Sequence, residues 1–195
     1  MGYFCGFYYI YSKTNEAIKE IIPKEKGDIY YKIIENNCVG SPTPLVHREC
    51  FEKSGMFDES LESCQDWDMW IRLSKYYKFW FITDRLAKVY IHGNQISTNL
   101  KKKIDARRKI LHKYRKDIIL HKSIFSWHLR RLGSYMYIDG QESNGRKLLL
   151  KAIKVDPINW RGYAHIILSY LSKNLYKELI IKYTSTKTGD IQIYS

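Results

Sequence analysis

Gln65-Asp66-Trp67-Asp68 places two carboxylates and an indole at the head of an amphipathic run. A carboxylate within reach of a hydroxyl can take its proton as the oxygen forms a new bond, so Asp66 is the first candidate for a general base. The alternative for an Asp at this position is helix N-capping. Asp68 follows two residues later, and positions i and i+2 of a helix do not face each other. The pair is therefore not read as a metal site, and Asp68 is expected to compensate the helix dipole. His92 closes an apolar stretch. A neutral imidazole can ligate a divalent metal, although a histidine at a strand end is commonly structural. Trp70 stands at helical spacing from Leu73 and is expected in the core, whereas Trp67, next to Asp66, is expected to offer its ring to a ligand. Arg48 and Arg72 could orient carboxylates or phosphate, with surface ion pairs as the alternative.

These residues need elements to hold them. Residues 3–12 are rich in β-formers and read as a strand. Residues 13–27 are polar, contain Pro23 and Gly27, and read as a variable connection. Asp28 is a candidate N-cap for a short helix reaching Asn36 or Asn37. Pro42 to His47 reads as a short buried strand, and Glu49 to Ser54 as a helical turn stopped by Gly55. Asp66 to Tyr76 reads as an amphipathic helix, and Lys78–Thr83 and Leu86–His92 as two strands. After Ser97 the period becomes helical, with Leu100, Ile104, Leu111, Tyr114 and Ile118 on one face. Further helices are expected over Ser123–Asp139, over Gln141–Val155 and after Pro157.

Charge divides the chain at the same place. The 195 residues carry a formal net charge of +13. Residues 1–99 hold 12 Lys/Arg against 13 Asp/Glu, whereas residues 100–155 hold 16 against 4. A shift this sharp marks a change of module near Asn99. The basic helices could meet an anionic membrane surface. No nucleic-acid-binding motif accompanies them, which disfavours a nucleic-acid partner. Cys5, Cys38, Cys50 and Cys64 show no CxxC spacing, so free thiols are expected rather than a zinc site. The start, Met1-Gly-Tyr-Phe-Cys-Gly-Phe, has no basic leader region, and the apolar stretch from Tyr163 to Leu171 falls short of the ~20 residues that span a bilayer. A cytoplasmic protein, peripheral on the inner face of the membrane, is the expected location.

Residues 37–92 resemble the second half of the catalytic domain of family 2 glycosyltransferases, which have the GT-A fold. The resemblance is carried by Gly40-Ser41-Pro42, Arg48-Glu49, the Gly55-Met56-Phe57-Asp58-Glu59 turn, Asp66-Trp67-Asp68-Met69-Trp70-Ile71-Arg72-Leu73, and His92. It implies that Asp66 is the base of an inverting sugar transfer, with Gln65 replacing the Glu usual before it. It implies acceptor contacts at Trp67 and Arg48, a metal or phosphate role for His92, and a divalent Mn or Mg on the donor diphosphate. The donor would be a nucleotide-sugar, and the acceptor a hydroxyl of a glycan or lipid-linked chain in cell-surface polysaccharide synthesis. The metal-binding DxD of such enzymes ends a buried apolar strand. Ser60 to Gln65 forms no such strand, so Asp66–Asp68 is not that motif.

The expected architecture is α/β, a partial GT-A (nucleotide-diphospho-sugar transferase-like) half over residues 1–99, followed by an all-α region over 100–195. Leu132-Gly133, Met136, Gly140, Gly145, Leu149, Ala152 and Pro157 resemble one tetratricopeptide-like hairpin near 123–172, with Met136 and Gly145 departing from the pattern. No Gly-rich phosphate loop and no strand-terminal DxD occur in the sequence. The expectation is an enzyme half that is truncated and inactive alone, its N-terminal partner lying on another polypeptide or in a lost upstream reading frame. Two readings compete: a non-catalytic helical interaction module, and a basic binder of nucleic acid or a membrane surface.

Overall fold

The computed structural model describes residues 2–91 and 99–187, with side chains described as far as Ile180. The chain divides into two compact units, residues 1–95 and 96–195.

The first unit is built around β1 (Gly2–Tyr11). β4 (Phe79–Ile91) runs parallel along its whole length. β2 (Glu16–Ile21) pairs antiparallel with its second half, and the two-residue β3 (Leu45–Val46) with its first two residues. The sheet is therefore mixed, and β1 is paired on both edges. A strand in that position is covered from several sides, which is why its sequence reads as a near-continuous apolar run rather than an alternation. Phe4, Phe7 and Ile10 are buried in it.

Three expectations change here. Residues 13–27 are not only connection, because β2 lies within them. Its mostly exposed, charged sequence hides it from a pattern search, and such charge suits the outer edge of a sheet. Pro42–His47 is not a buried strand: only Leu45–Val46 pairs, and Leu45 is 74% exposed. The two strands expected over 78–92 are one strand, β4, interrupted by a register shift where Gly6 faces Arg85. A Cβ at Gly6 would stand 2.8 Å from the Ile21 carbonyl oxygen and 3.2 Å from that of Asp84. The missing side chain lets Arg85 lie across β1 and form an ion pair with Glu20 of β2.

Three short helices complete this unit, α1 (Tyr30–Glu35), α2 (Glu49–Ser54) and α3 (Gln65–Ser74), with α1 and α2 each packed on α3. Ile33 and Ile34 of α1 and Met69, Ile71 and Leu73 of α3 are almost fully buried. Asp28 does not cap α1 in the expected way. Ile29 is the capping position, and the Asp28 carboxylate accepts from the Tyr30 N–H at 3.3 Å. Gly55 stops α2 with φ 74°, the left-handed region in which glycine carries no Cβ penalty.

The second unit holds α4 (Leu100–Lys113), α5 (Arg115–Leu120), α6 (Lys122–Ile138), α7 (Glu142–Val155), α8 (Trp160–Leu171) and α9 (Lys173–Lys187). Asn99 caps α4 by accepting from the Lys102 N–H at 3.1 Å. Ile104, Tyr114 and Ile118 are buried, as the helical period requires. α6 is central, buried along nearly its whole second half. It folds back on α7 through a turn in which Gly140 has φ 93°. Gly133 and Gly145 bring the two backbones together: a Cβ on either would stand within 2.9 Å of the other's carbonyl oxygen.

A buried polar chain ties this unit together. Arg130 can only donate, so His165 Nε2 accepts from it at 3.3 Å. The proton therefore sits on His165 Nδ1 and is donated to the Tyr176 hydroxyl at 2.8 Å, which in turn donates to Ser134 at 3.0 Å. Burial, reinforced by the Arg130 and Arg131 charges, holds the His165 imidazole neutral, with its pKa lowered to about 3.

Candidate functional site

Asp66 is the second residue of α3, and its setting is assembled from three segments. The chain enters the helix through Cys64, a non-glycine residue in the left-handed region with φ 62°. Such a conformation costs on the order of 1 kcal/mol and persists only where its surroundings enforce it. Asn37, just beyond α1, donates its amide nitrogen to Asp66 Oδ2 at 2.9 Å. Ser41 donates its hydroxyl to the same carboxylate, and backbone N–H groups of the helix start add to these bonds.

The turn that presents Ser41 is pinned to the sheet. Thr43 folds back on the Gly40 carbonyl through its N–H at 3.0 Å and its hydroxyl at 2.9 Å. The Phe7 ring of β1 occupies the space where a Gly40 Cβ would be, with the nearest ring carbon only 2.3 Å from that point. Glycine at 40 is thus required by close approach, and Phe7, Gly40, Ser41 and Asp66 form one chain of contacts from sheet to carboxylate.

Burial is the largest influence on Asp66 and raises its pKa above the ordinary carboxylate range. The hydrogen bonds from the backbone, Asn37 and Ser41 oppose that shift without cancelling it. The outcome is a carboxylate of increased proton affinity held by neutral donors, a direction of shift that suits a proton acceptor.

Trp67 and Asp68 serve the fold. Trp67 is 2% exposed, and its indole N–H donates to the Ile33 carbonyl at 2.6 Å. It locks α3 onto α1 and has no ring face for an acceptor, which corrects the expectation from sequence. Asp68 is fully buried and accepts from Arg72 Nε at 2.9 Å. The same guanidinium donates to the Ser54 carbonyl and, at 2.7 Å, to that of Met56. Asp68 is therefore more than dipole compensation: it aims Arg72 at the end of α2 and so fixes the loop before α3. Trp70 is core, as expected. Arg48 is exposed at the start of α2, and His92 lies outside the described residues.

The sequence reading missed Asn37 and the carboxylate role of Ser41. A lone Asn after a helix gives no signal, because its partner is 29 positions away. Around Asp66 the described polar partners are an amide, a hydroxyl and backbone N–H groups, while Asp68 faces a guanidinium. This donor set does not suit a divalent cation, which takes carboxylate and carbonyl oxygens, and among the described residues no three His, Cys, Asp or Glu side chains gather as a metal site. All four cysteines are free thiols.

No protein-family model matches the chain, and no solved structure matches it. The chain is similar to an uncharacterized glycosyltransferase of Rickettsia prowazekii (strain Madrid E), 30% identical over 96 residues. It is also similar to an uncharacterized glycosyltransferase of Rickettsia typhi (strain ATCC VR-144 / Wilmington), 28% identical over 96 residues. Each match covers 47% of this chain and 30% of the relative, so the chain spans less than a third of the length of these curated relatives. Over that stretch the chain is related to proteins named as glycosyltransferases.

Proposed function

We propose that residues 1–99 form the acceptor-side half of a GT-A-like, family 2-like glycosyltransferase and that Asp66 is its general base. The observation that carries this reading is the Asp66 carboxylate itself, half-buried at the head of α3 and held by Asn37 with its proton affinity raised. In the reaction, Asp66 takes the proton of an acceptor hydroxyl as that oxygen bonds to the anomeric carbon of a nucleotide-sugar. The bond from that carbon to the diphosphate breaks, and the nucleoside diphosphate leaves with the electron pair. Arg48, exposed on α2, is proposed to meet the glycan or lipid-linked acceptor of a cell-surface polysaccharide pathway. In this reading the nucleotide and a divalent Mn or Mg are held by a donor side outside these 195 residues.

The test is transfer and hydrolysis with a panel of nucleotide-sugars and Mn²⁺, using the chain and its Asp66→Asn variant. Each is assayed alone and with the donor half of the Rickettsia prowazekii relative added. Loss of a general base is expected to cost about 10²- to 10⁴-fold in turnover. Turnover that survives Asp66→Asn overturns the assignment.

The close Gly133–Gly145 approach supports a second reading, a non-catalytic module in which α6 and α7 form a tetratricopeptide-like hairpin. Protein capture by the chain that is unchanged by Asp66→Asn, together with no transfer in either assay, would favour it.

A further inference from the structure

Helix α8 is built inside out. Its buried face carries Gly162, His165 and Ser169. Its outward face carries Trp160 (65% exposed), Tyr163 (44%), Ile167 (59%), Tyr170 (68%) and Leu171 (68%). At 3.6 residues per turn these five fall within an arc of about 100°, with no polar residue among them. Single exposed apolar residues are ordinary, but a continuous stripe marks an interaction surface.

The helix cannot turn to hide this stripe. A Cβ at Gly162 would stand 2.8 Å from Ile153, so only glycine admits α8 at its distance from α7. His165 is fixed by Arg130 and Tyr176. The Ser169 carbonyl accepts from the Tyr137 hydroxyl at 2.8 Å and from Arg146 at 2.6 Å. The polar groups hold the inward face, and the apolar face is left outside.

Charge and ring chemistry select the occupant. Residues 100–195 hold 21 Lys/Arg against 7 Asp/Glu. Cations sit on the stripe itself: Arg161 lies 5.2 Å over the Trp160 ring and Arg146 lies 4.6 Å over that of Tyr170. A second copy would bring an equal excess of positive charge against this one. An anionic lipid surface instead offers phosphate to Arg161, while Arg146 stays on the Ser169 carbonyl and Glu142, and it offers a headgroup layer to the Trp and Tyr tips and acyl chains to Ile167 and Leu171. Twelve residues of helix are about 18 Å long, enough to lie in that layer. Among the described residues no helix is long and apolar enough to cross a membrane.

We propose that α8 is an interfacial helix that lays its Trp160–Leu171 stripe onto an anionic bilayer surface. This is independent of the role of Asp66.

The experiment is co-sedimentation of the full chain with phosphatidylcholine vesicles, with and without phosphatidylglycerol, at low and high salt. Binding is expected only with the anionic lipid and is expected to weaken with salt. Ile167→Ser and Leu171→Ser should each weaken it about tenfold while leaving the melting temperature unchanged. Arg161→Gln should weaken it further on the same vesicles. No binding, or binding indifferent to these substitutions, overturns the proposal. A fall in melting temperature in the serine variants, or a dimer that they disperse, would mean that protein covers the stripe and would overturn it equally.

Discussion

Asn37 and Asp66 stand 29 residues apart in sequence and 2.9 Å apart in the fold, the amide of one donating to the carboxylate of the other. The bond joins the exit of α1 to the entry of α3, and it helps to offset the cost of burying Asp66. Asn37→Ala should therefore raise the Asp66 pKa further and lower stability at neutral pH by about 1.5–3 kcal/mol, the range for hydrogen bonds to charged groups. Urea denaturation at pH 7, with carboxyl titration by NMR, checks both.

Asp66 itself should show a trade between stability and activity. Its folded pKa lies above the unfolded value, so its contribution to stability is full below the unfolded pKa and is lost as pH rises through the folded one. Asp66→Asn keeps an acceptor for Asn37 and removes the half-buried charge. The variant should match the parent at low pH and exceed it in stability above the folded pKa. Denaturation midpoints across pH 3–8 should converge at the acid end, and a variant less stable at pH 8 would contradict this account.

Asp68 and Arg72 should behave as a unit. Arg72→Met leaves a fully buried carboxylate without its guanidinium and should cost about 3–5 kcal/mol. Asp68→Asn combined with Arg72→Met should cost less than the two single changes summed, which a double-mutant cycle in urea measures.

Gly40→Ala should destabilise the first unit by about 1–3 kcal/mol through its clash with Phe7. Because the displaced turn carries Ser41, it should also shift the Asp66 titration upward. Adding Phe7→Leu makes room and should recover part of both effects.

Two further groups have environments that solution chemistry can read. Burial, aided by the Glu25 charge, pushes the Cys38 thiol up to about 12. Because the thiolate is the nucleophile, iodoacetamide at pH 8 should spare Cys38 in the folded chain and modify it in urea. His165 has its pKa lowered to about 3 against an ordinary 6.5. The unfolded chain takes a proton there first, so stability is full above about 6.5 and is lost progressively as pH falls toward 3. The loss is on the order of 5 kcal/mol, and His165→Gln should abolish most of it.

Local chemistry alone set much of this molecule. The apolar run of residues 3–12 had to be a paired strand, and Gly55 had to stop a helix. The 3.6 period after Ser97 had to give amphipathic helices, because each of these depends on neighbours within a turn or two. Asp66 stood out as a candidate base only through the resemblance of its flanking residues, because a carboxylate at a helix head is by itself equally the pattern of an N-cap. Tertiary structure decided the rest. It made Trp67 a core anchor rather than a ligand surface, since only the position of the Ile33 carbonyl determines where that indole points. It supplied Asn37 from 29 residues away, revealed β2 beneath a charged sequence, and turned the apolar face of α8 outward. Periodicity shows that a helix has two unlike faces; which face is buried is settled by the partners that the rest of the chain brings to it, here Arg130, Tyr176 and Tyr137.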